Sequence, residues 1–191
     1  MSLPTRTVKH GLEMQFLTNH VGHFMLVTGL LPRLCEDGRV ISVSSEAHKT
    51  SWREGIRFDD LDAANQYAGW RAYGQSKLAN LLFARHLSTR LGAGQAAIAL
   101  HPGVILTNLW RHMPIPGPVQ PVLQGVGNLV GMKNVEQGAA TQVFTAIDDS
   151  VYANSGAYYA DCNVATSSKH GLDSSMAARL WEVTESLVAE F

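Results

Sequence analysis

Tyr73 and Lys77 stand four residues apart in Tyr73-Gly74-Gln75-Ser76-Lys77, a spacing that puts a phenol and an ammonium on one face of a helix, one turn apart. A phenol with an unperturbed pKa near ~10 is a poor acid–base group at neutral pH, and a fixed positive charge beside it stabilises phenolate and draws that pKa toward the working range. The chemistry this suits is delivery of a proton to an oxygen, or its removal. The spacing alone is a weak signal, because short motifs recur by chance. The surrounding elements have to carry the argument.

Two strand-like runs supply polar groups at their carboxyl ends. Gly38-Arg39-Val40-Ile41-Ser42-Val43-Ser44-Ser45 reads as a buried β-branched strand ending in two hydroxyls, and Ala97-Ile98-Ala99-Leu100-His101-Pro102-Gly103-Val104 as a second strand ending in a turn. Open α/β sheets bind their ligands at that end. Taken in order, Asn19-His20-Val21-Gly22-His23-Phe24, the Ser44-Ser45 strand end, Tyr73-x-x-x-Lys77 and Pro102-Gly103-x-x-x-Thr107 resemble the short-chain dehydrogenase/reductase family over nearly the whole chain. The Asn19 helix, Phe58-Asp59-Asp60-Leu61 and His101-Pro102-Gly103-Val104 resemble its retinol-dehydrogenase and WW-domain-oxidoreductase branch.

The resemblance implies an oxidoreductase that interconverts a hydrophobic alcohol and its carbonyl with NADP or NAD as cofactor. It implies Tyr73 as proton donor that also contacts the cofactor, and Lys77 as the group that tunes Tyr73 and holds the nicotinamide ribose. Ser45 would polarise the substrate carbonyl, with Ser44 structural, and Asn19 would hold a water in the proton relay. Gly103, Val104 and Ile105 would offer backbone to the nicotinamide, and Thr107 its hydroxyl to the carboxamide. No metal is expected, since His20 and His23 lack an acidic third ligand at a usual spacing and His101 and His112 lie on other elements. No Gly-x-Ser-x-Gly elbow surrounds any serine, which disfavours a serine hydrolase.

One departure is as informative as the match. The family opens with a strand and a Thr-Gly-x-x-x-Gly-x-Gly turn for the cofactor pyrophosphate, and later carries Asn-Asn-Ala-Gly; neither occurs in these residues. The corresponding four strands and three helices amount to on the order of 90 residues. The expectation is therefore a single partial domain over 1–191, the C-terminal part of an α/β Rossmann-type doubly wound parallel sheet, from an incomplete gene prediction, a fragment or a true short isoform. Such a chain is expected to bind the dinucleotide poorly, to turn over negligibly and to expose the Arg39–Ser44 strand as a sticky edge. The alternative is a non-catalytic module that pairs through helices 12–34 and 72–91, the route by which a homodimer would also form.

Composition narrows the partners. With 46% hydrophobic and 16% charged residues and a net charge of -1, the chain reads as a globular enzyme without the basic field that nucleic acid requires. Cys35 and Cys162 are too few for a disulfide scaffold and are expected as buried free thiols in a reducing compartment. The longest apolar stretch, Phe24 to Leu34, is short and interrupted, so no membrane span is expected. The default compartment is cytoplasmic, with membrane association common in the resembling branch.

The elements that must position these groups follow from periodicity and punctuation. A helix runs from Leu12 to Leu34 and a second from Ala72 to Leu91, stopped by Gly92 and Gly94; between them 46–71 reads as a polar loop with at most one short helix. Pro102–Gly131 is too long for a bare connector, and Met113–Gly131 reads as a lid over the substrate. Asn134 caps a helix to Ile147, Gly156–Ala160 is a last strand, and Asp173 or Ser174 caps a closing helix to Leu187. Alternating strands and helices imply parallel strands with right-handed crossovers.

Overall fold

The computed structural model describes residues 1–105 and 133–191. Its centre is a four-stranded sheet in the order β3 (Arg39–Val43), β4 (Ala96–Leu100), β5 (Tyr158–Ala160), β6 (Asn163–Ala165). β3 and β4 pair in parallel with Val43 beside Leu100, and β4 and β5 in parallel with Leu100 beside Tyr159. β6 returns antiparallel to β5, a strand the periodicity does not announce. Its turn is Asp161-Cys162, with φ of 50° and 61°. Both residues take the left-handed conformation that a two-residue hairpin needs and that glycine or asparagine usually supplies.

The same device appears at the start of the chain. β1 (Val8–Lys9) and β2 (Leu12–Glu13) form a hairpin through His10 and Gly11, with φ of 53° and 71°. The helix expected from Leu12 therefore begins two residues later, with Glu13 capping it by accepting the Phe16 amide at 2.9 Å. From there the chain is helical to Arg33 in four pieces: α1 (Met14–Phe16), a π turn (Leu17–Val21), α2 (Gly22–Leu30) and a 3-10 turn (Leu31–Arg33). Phe16, His20 and Phe24, spaced four apart, share one face of this helical run and are all buried.

β4 shows why the sheet is covered on both sides. All five of its residues are buried. Ala97 and Ala99 face α3 (Gly69–Ser88), while Ala96, Ile98 and Leu100 pack with Phe144 of α4 (Val135–Ile147) and Val151 of α5 (Ser150–Ala153). The period of two in a strand sends alternate residues to opposite layers, and alanine on the α3 side lets that helix lie close. Thirteen of the twenty residues of α3 are buried, so it is the central helix rather than a surface one. α6 (Ser174–Val188), capped by Asp173, packs on its far side with α1 and α2. The doubly wound α/β architecture follows, and β3 is an edge of the sheet among the described residues.

Several expectations are corrected. The segment 46–71 holds two 3-10 turns, Glu46–Thr50 and Phe58–Asp60, and buries Trp52, Ile56 and Leu61; its polar composition hides these anchors. Cys35 and Cys162 are free, but Cys35 is exposed and Cys162 half-buried, because both lie in turns rather than under the sheet. α3 starts at Gly69 and ends at Ser88. The Asn134 cap is a reciprocal capping box with Gln137. The expected lid, Met113–Gly131, lies outside the described residues, as do Thr107 and His112.

His20 sits in the aromatic core, with ring centroids 5.1 Å from Phe16 and 6.3 Å from Phe83. Its Nε2 lies 3.0 Å from Thr184 Oγ1, which itself donates to the Leu180 carbonyl, so the imidazole is the donor. Burial, with a smaller contribution from His23, lowers its pKa to about 3. The unfolded chain, with an ordinary imidazole, takes up the proton first, so this stability is present above pH ~6.5 and is lost as pH falls toward the folded value. We predict that urea unfolding free energy drops between pH 7 and pH 5 by roughly 2 kcal/mol from this group, with buried His48 adding in the same direction. His20→Gln, which keeps a donor for Thr184 but does not titrate, should flatten that slope; an unchanged slope would locate the sensitivity elsewhere.

Candidate active site

The ends of β3 and β4 and the first turns of α3 converge. Three interactions fix the convergence: Ser42 Oγ donates to the Asn80 carbonyl at 3.0 Å, Ser44 Oγ to the Lys77 carbonyl at 2.7 Å, and Asn80 Nδ2 to the Val43 carbonyl at 3.1 Å. Lys77 Nζ donates to that same Val43 carbonyl at 3.0 Å. Ser44 is thus turned inward to the helix backbone. Ser45, next along the chain, is extended and caps the Glu46–Thr50 turn by accepting the Ala47 amide at 3.2 Å.

Tyr73 lies near Ser45, whose hydroxyl is close enough to influence the phenol. Burial pushes the Tyr73 phenol above its ordinary value, and the nearby Ser45 hydroxyl draws it partway back. Lys77 does not lower it in this arrangement, contrary to the effect its spacing suggests. The ammonium is committed to Val43 and lies 5.8 Å from the centre of the Tyr73 ring, and burial brings its own pKa down to about 8. A donor that remains protonated at neutral pH is suited to give a proton to a nascent alkoxide.

Asn19 lies in the π turn and donates to Ser76 Oγ at 3.0 Å, and Ser76 in turn donates to the Tyr73 carbonyl at 2.8 Å. It therefore reaches the backbone carbonyl of Tyr73 through two hydrogen bonds and does not reach the phenol. On the β4 side, Gly103 has φ of 89° and its amide donates to His101 Nδ1 at 3.1 Å. Val104 accepts the Lys133 amide at 2.8 Å, and Ile105 bridges in parallel to Lys133. The nearest atoms to a side chain at Gly103 would be those of the flexible Lys133 stem, 2.7 Å away. The positive φ and the movable neighbour make this a place where backbone can be approached by a planar ring.

Residues that spacing did not single out complete the cluster. Asn80 is buried and shares the Val43 carbonyl; its position three after Lys77 on one helix face was the available signal. Glu46 faces His101, with Oε1 3.5 Å from Nε2, and the His101 ring stacks on Tyr158 at 5.8 Å. Burial foremost lowers the His101 pKa, opposed by Glu46. Lys133 pairs with Asp161. Among the described residues no group of three or more His, Cys, Asp or Glu side chains is placed to hold a metal ion, and no helix is long and apolar enough to cross a membrane.

The residues present fit the nicotinamide end of a dinucleotide: a cation and a phenol on one helix face, a hydroxyl beside them, and a glycine turn on the adjacent strand. No family model matches the chain. The chain is 39% identical to the chloroplastic short-chain dehydrogenase TIC 32 A of Brassica napus, over 98% of its own length and 61% of that protein's. It is 38% identical to human retinol dehydrogenase 14, over 97% of its own length and 55% of that protein's. A Streptomyces lividans protein named "Probable oxidoreductase" is 38% identical, with 95% and 67% covered. The crystal structure of an uncharacterized protein from Mycobacterium Paratuberculosis superposes with a TM-score of 0.66 at 31% identity, covering 99% of this chain and 63% of that one. The chain belongs to the short-chain dehydrogenase/reductase family. It spans a little more than half the length of the first two relatives.

Gly74 lets the 47–51 turn lie close against α3. A Cβ there would lie 2.6 Å from the Ala47 carbonyl oxygen and 3.0 Å from the Ser51 amide nitrogen, both backbone. Gly74→Ala should therefore destabilise by about 1–3 kcal/mol through overpacking, outweighing the ~1 kcal/mol by which alanine is the better helix former. Urea denaturation measures the sign. A stabilised Gly74→Ala would show that the 47–51 turn does not press on α3.

Proposed function

We propose that these residues form the catalytic and substrate-binding part of an NAD(P)-dependent oxidoreductase interconverting a hydrophobic alcohol and its carbonyl. The observation that carries this reading is the hydroxyl pair Tyr73–Ser45, fixed at the carboxyl ends of two parallel strands with Lys77 one turn along and the Gly103 turn beside it. The nicotinamide cofactor would supply the hydride, and Lys77, Gly103, Val104, Ile105 and Thr107 are the residues proposed to hold it. Tyr73 gives its proton to the substrate oxygen while Ser45 Oγ hydrogen-bonds the same oxygen, and Asn19 steadies the helix turn behind Tyr73 through Ser76. Retinol dehydrogenase 14 is named for a bulky apolar alcohol, which supports that substrate class here.

A homodimer, if this chain forms one, is better served by α2 than by α3. Met25, Leu26 and Leu30 are exposed on α2, whereas α3 leaves only Trp70 and Arg71 exposed. These exposed apolar side chains support a contribution of the first helix to pairing through helices 12–34 and 72–91.

In the intact enzyme, Tyr73→Phe should cut carbonyl-reduction turnover to below about a tenth, a barrier increase above ~1.4 kcal/mol, with nicotinamide-nucleotide affinity nearly unchanged. Lys77→Met should weaken both. Steady-state kinetics with a long-chain aldehyde and NADPH or NADH, together with calorimetric titration of the nucleotide, separate the two effects. Turnover retained in Tyr73→Phe would remove the phenol from the proton-donor role.

A further inference from the structure

His48 is buried in the turn that follows Ser45, and its ring is bonded at both nitrogens. Nδ1 lies 2.7 Å from the Ser45 carbonyl oxygen, and Nε2 lies 3.0 Å from the Ser168 amide nitrogen. A carbonyl can only accept and an amide N–H can only donate, so both partners demand the same form of the ring: neutral, with the proton on Nδ1. The His48 backbone amide also donates to the Ser45 carbonyl, at 3.0 Å. One residue thus grips that carbonyl twice.

The far end of the ring is anchored as well. Ser168 Oγ accepts the Gly171 amide at 3.2 Å, and the Gly171 carbonyl accepts Arg85 Nε of α3 at 2.8 Å. The imidazole also packs edge-on against Tyr158 of β5 at 5.0 Å. Protein on three sides therefore leaves His48 a single placement. Ser45 itself has weaker local restraint, since its Oγ accepts the Ala47 amide at 3.2 Å and otherwise lies near Tyr73.

We infer that His48 is a positioning residue for Ser45: as the neutral Nδ1–H tautomer it bolts the Ser45 peptide to the segment after β6, and so fixes where the Ser45 hydroxyl meets Tyr73. The inference rests on the Ser45–Tyr73 contact proposed above, and extends the site to a residue that touches neither substrate nor cofactor. Burial lowers the His48 pKa, which keeps the ring neutral through the physiological range.

The test uses the full 191-residue chain labelled with 15N in the histidine rings and 13C at tyrosine Cζ, the Tyr73 resonance being assigned with Tyr73→Phe. In the unsubstituted chain at pH 7, His48 should show a protonated Nδ1 and a bare Nε2; the opposite tautomer, or a charged ring, overturns the inference. Ser45→Ala should shift the Tyr73 Cζ resonance. His48→Phe, which keeps an aromatic ring against Tyr158 but loses both bonds, should shift it in the same direction, and the double variant should add nothing further. His48→Asn, whose amide can still donate to the Ser45 carbonyl, should stay nearer the unsubstituted position and serves if His48→Phe does not fold. A Tyr73 resonance that follows Ser45→Ala but ignores both His48 variants, or shifts that simply add, overturns the positioning role while leaving the site reading intact. A resonance indifferent to Ser45→Ala removes the Ser45–Tyr73 contact itself, and both readings fall together.

Discussion

Everything at the site depends on the lacing of the β3 end to the backbone of α3. Parallel strands and a covering helix normally meet through apolar side chains, which fix their separation but allow sliding. Here Ser42 and Ser44 donate to the carbonyls of Asn80 and Lys77, one helical turn apart, while Asn80 returns a bond to Val43. Alternate strand residues matched to carbonyls one turn apart set the register between strand and helix. Without that register Ser45 and Tyr73 would have no fixed relation.

The energetic character of the site follows from the burial of its two ionisable side chains. Hydroxyl bonds to helix carbonyls do not disturb the helix ladder, because a carbonyl has a second lone pair. Burial has opposite consequences for the two ionisable groups, holding Tyr73 neutral and making the Lys77 charge costly. The pair is thus a protonated phenol beside an ammonium that is easily perturbed, rather than a phenolate already formed. Changes in what surrounds Lys77 would alter its charge more readily than that of Tyr73.

Much of this was legible in the residues. The two central strands, the capping of α4 by Asn134 and of α6 by Asp173, and the placement of Tyr73 and Lys77 on the first turns of α3 follow from periodicity and cap chemistry. The two hairpins were hidden because their strands are only two or three residues long, too short to show an alternating pattern. The target of Lys77 was hidden because spacing along a helix says which side chains are neighbours and nothing about acceptors from another element. His48 was illegible for the same reason: its partners are backbone groups, one of them 120 residues away, and backbone leaves no mark in the sequence.

The Val43 carbonyl receives two donors, Lys77 and Asn80. An acceptor with a single donor would be orphaned if that donor turned away, and a buried orphan is costly. With Asn80 in place, Lys77 can exchange the carbonyl for an incoming ligand oxygen without stranding any protein group. The amide acts as a permanent understudy, converting a structural lysine into a mobile one at little energetic cost to the fold.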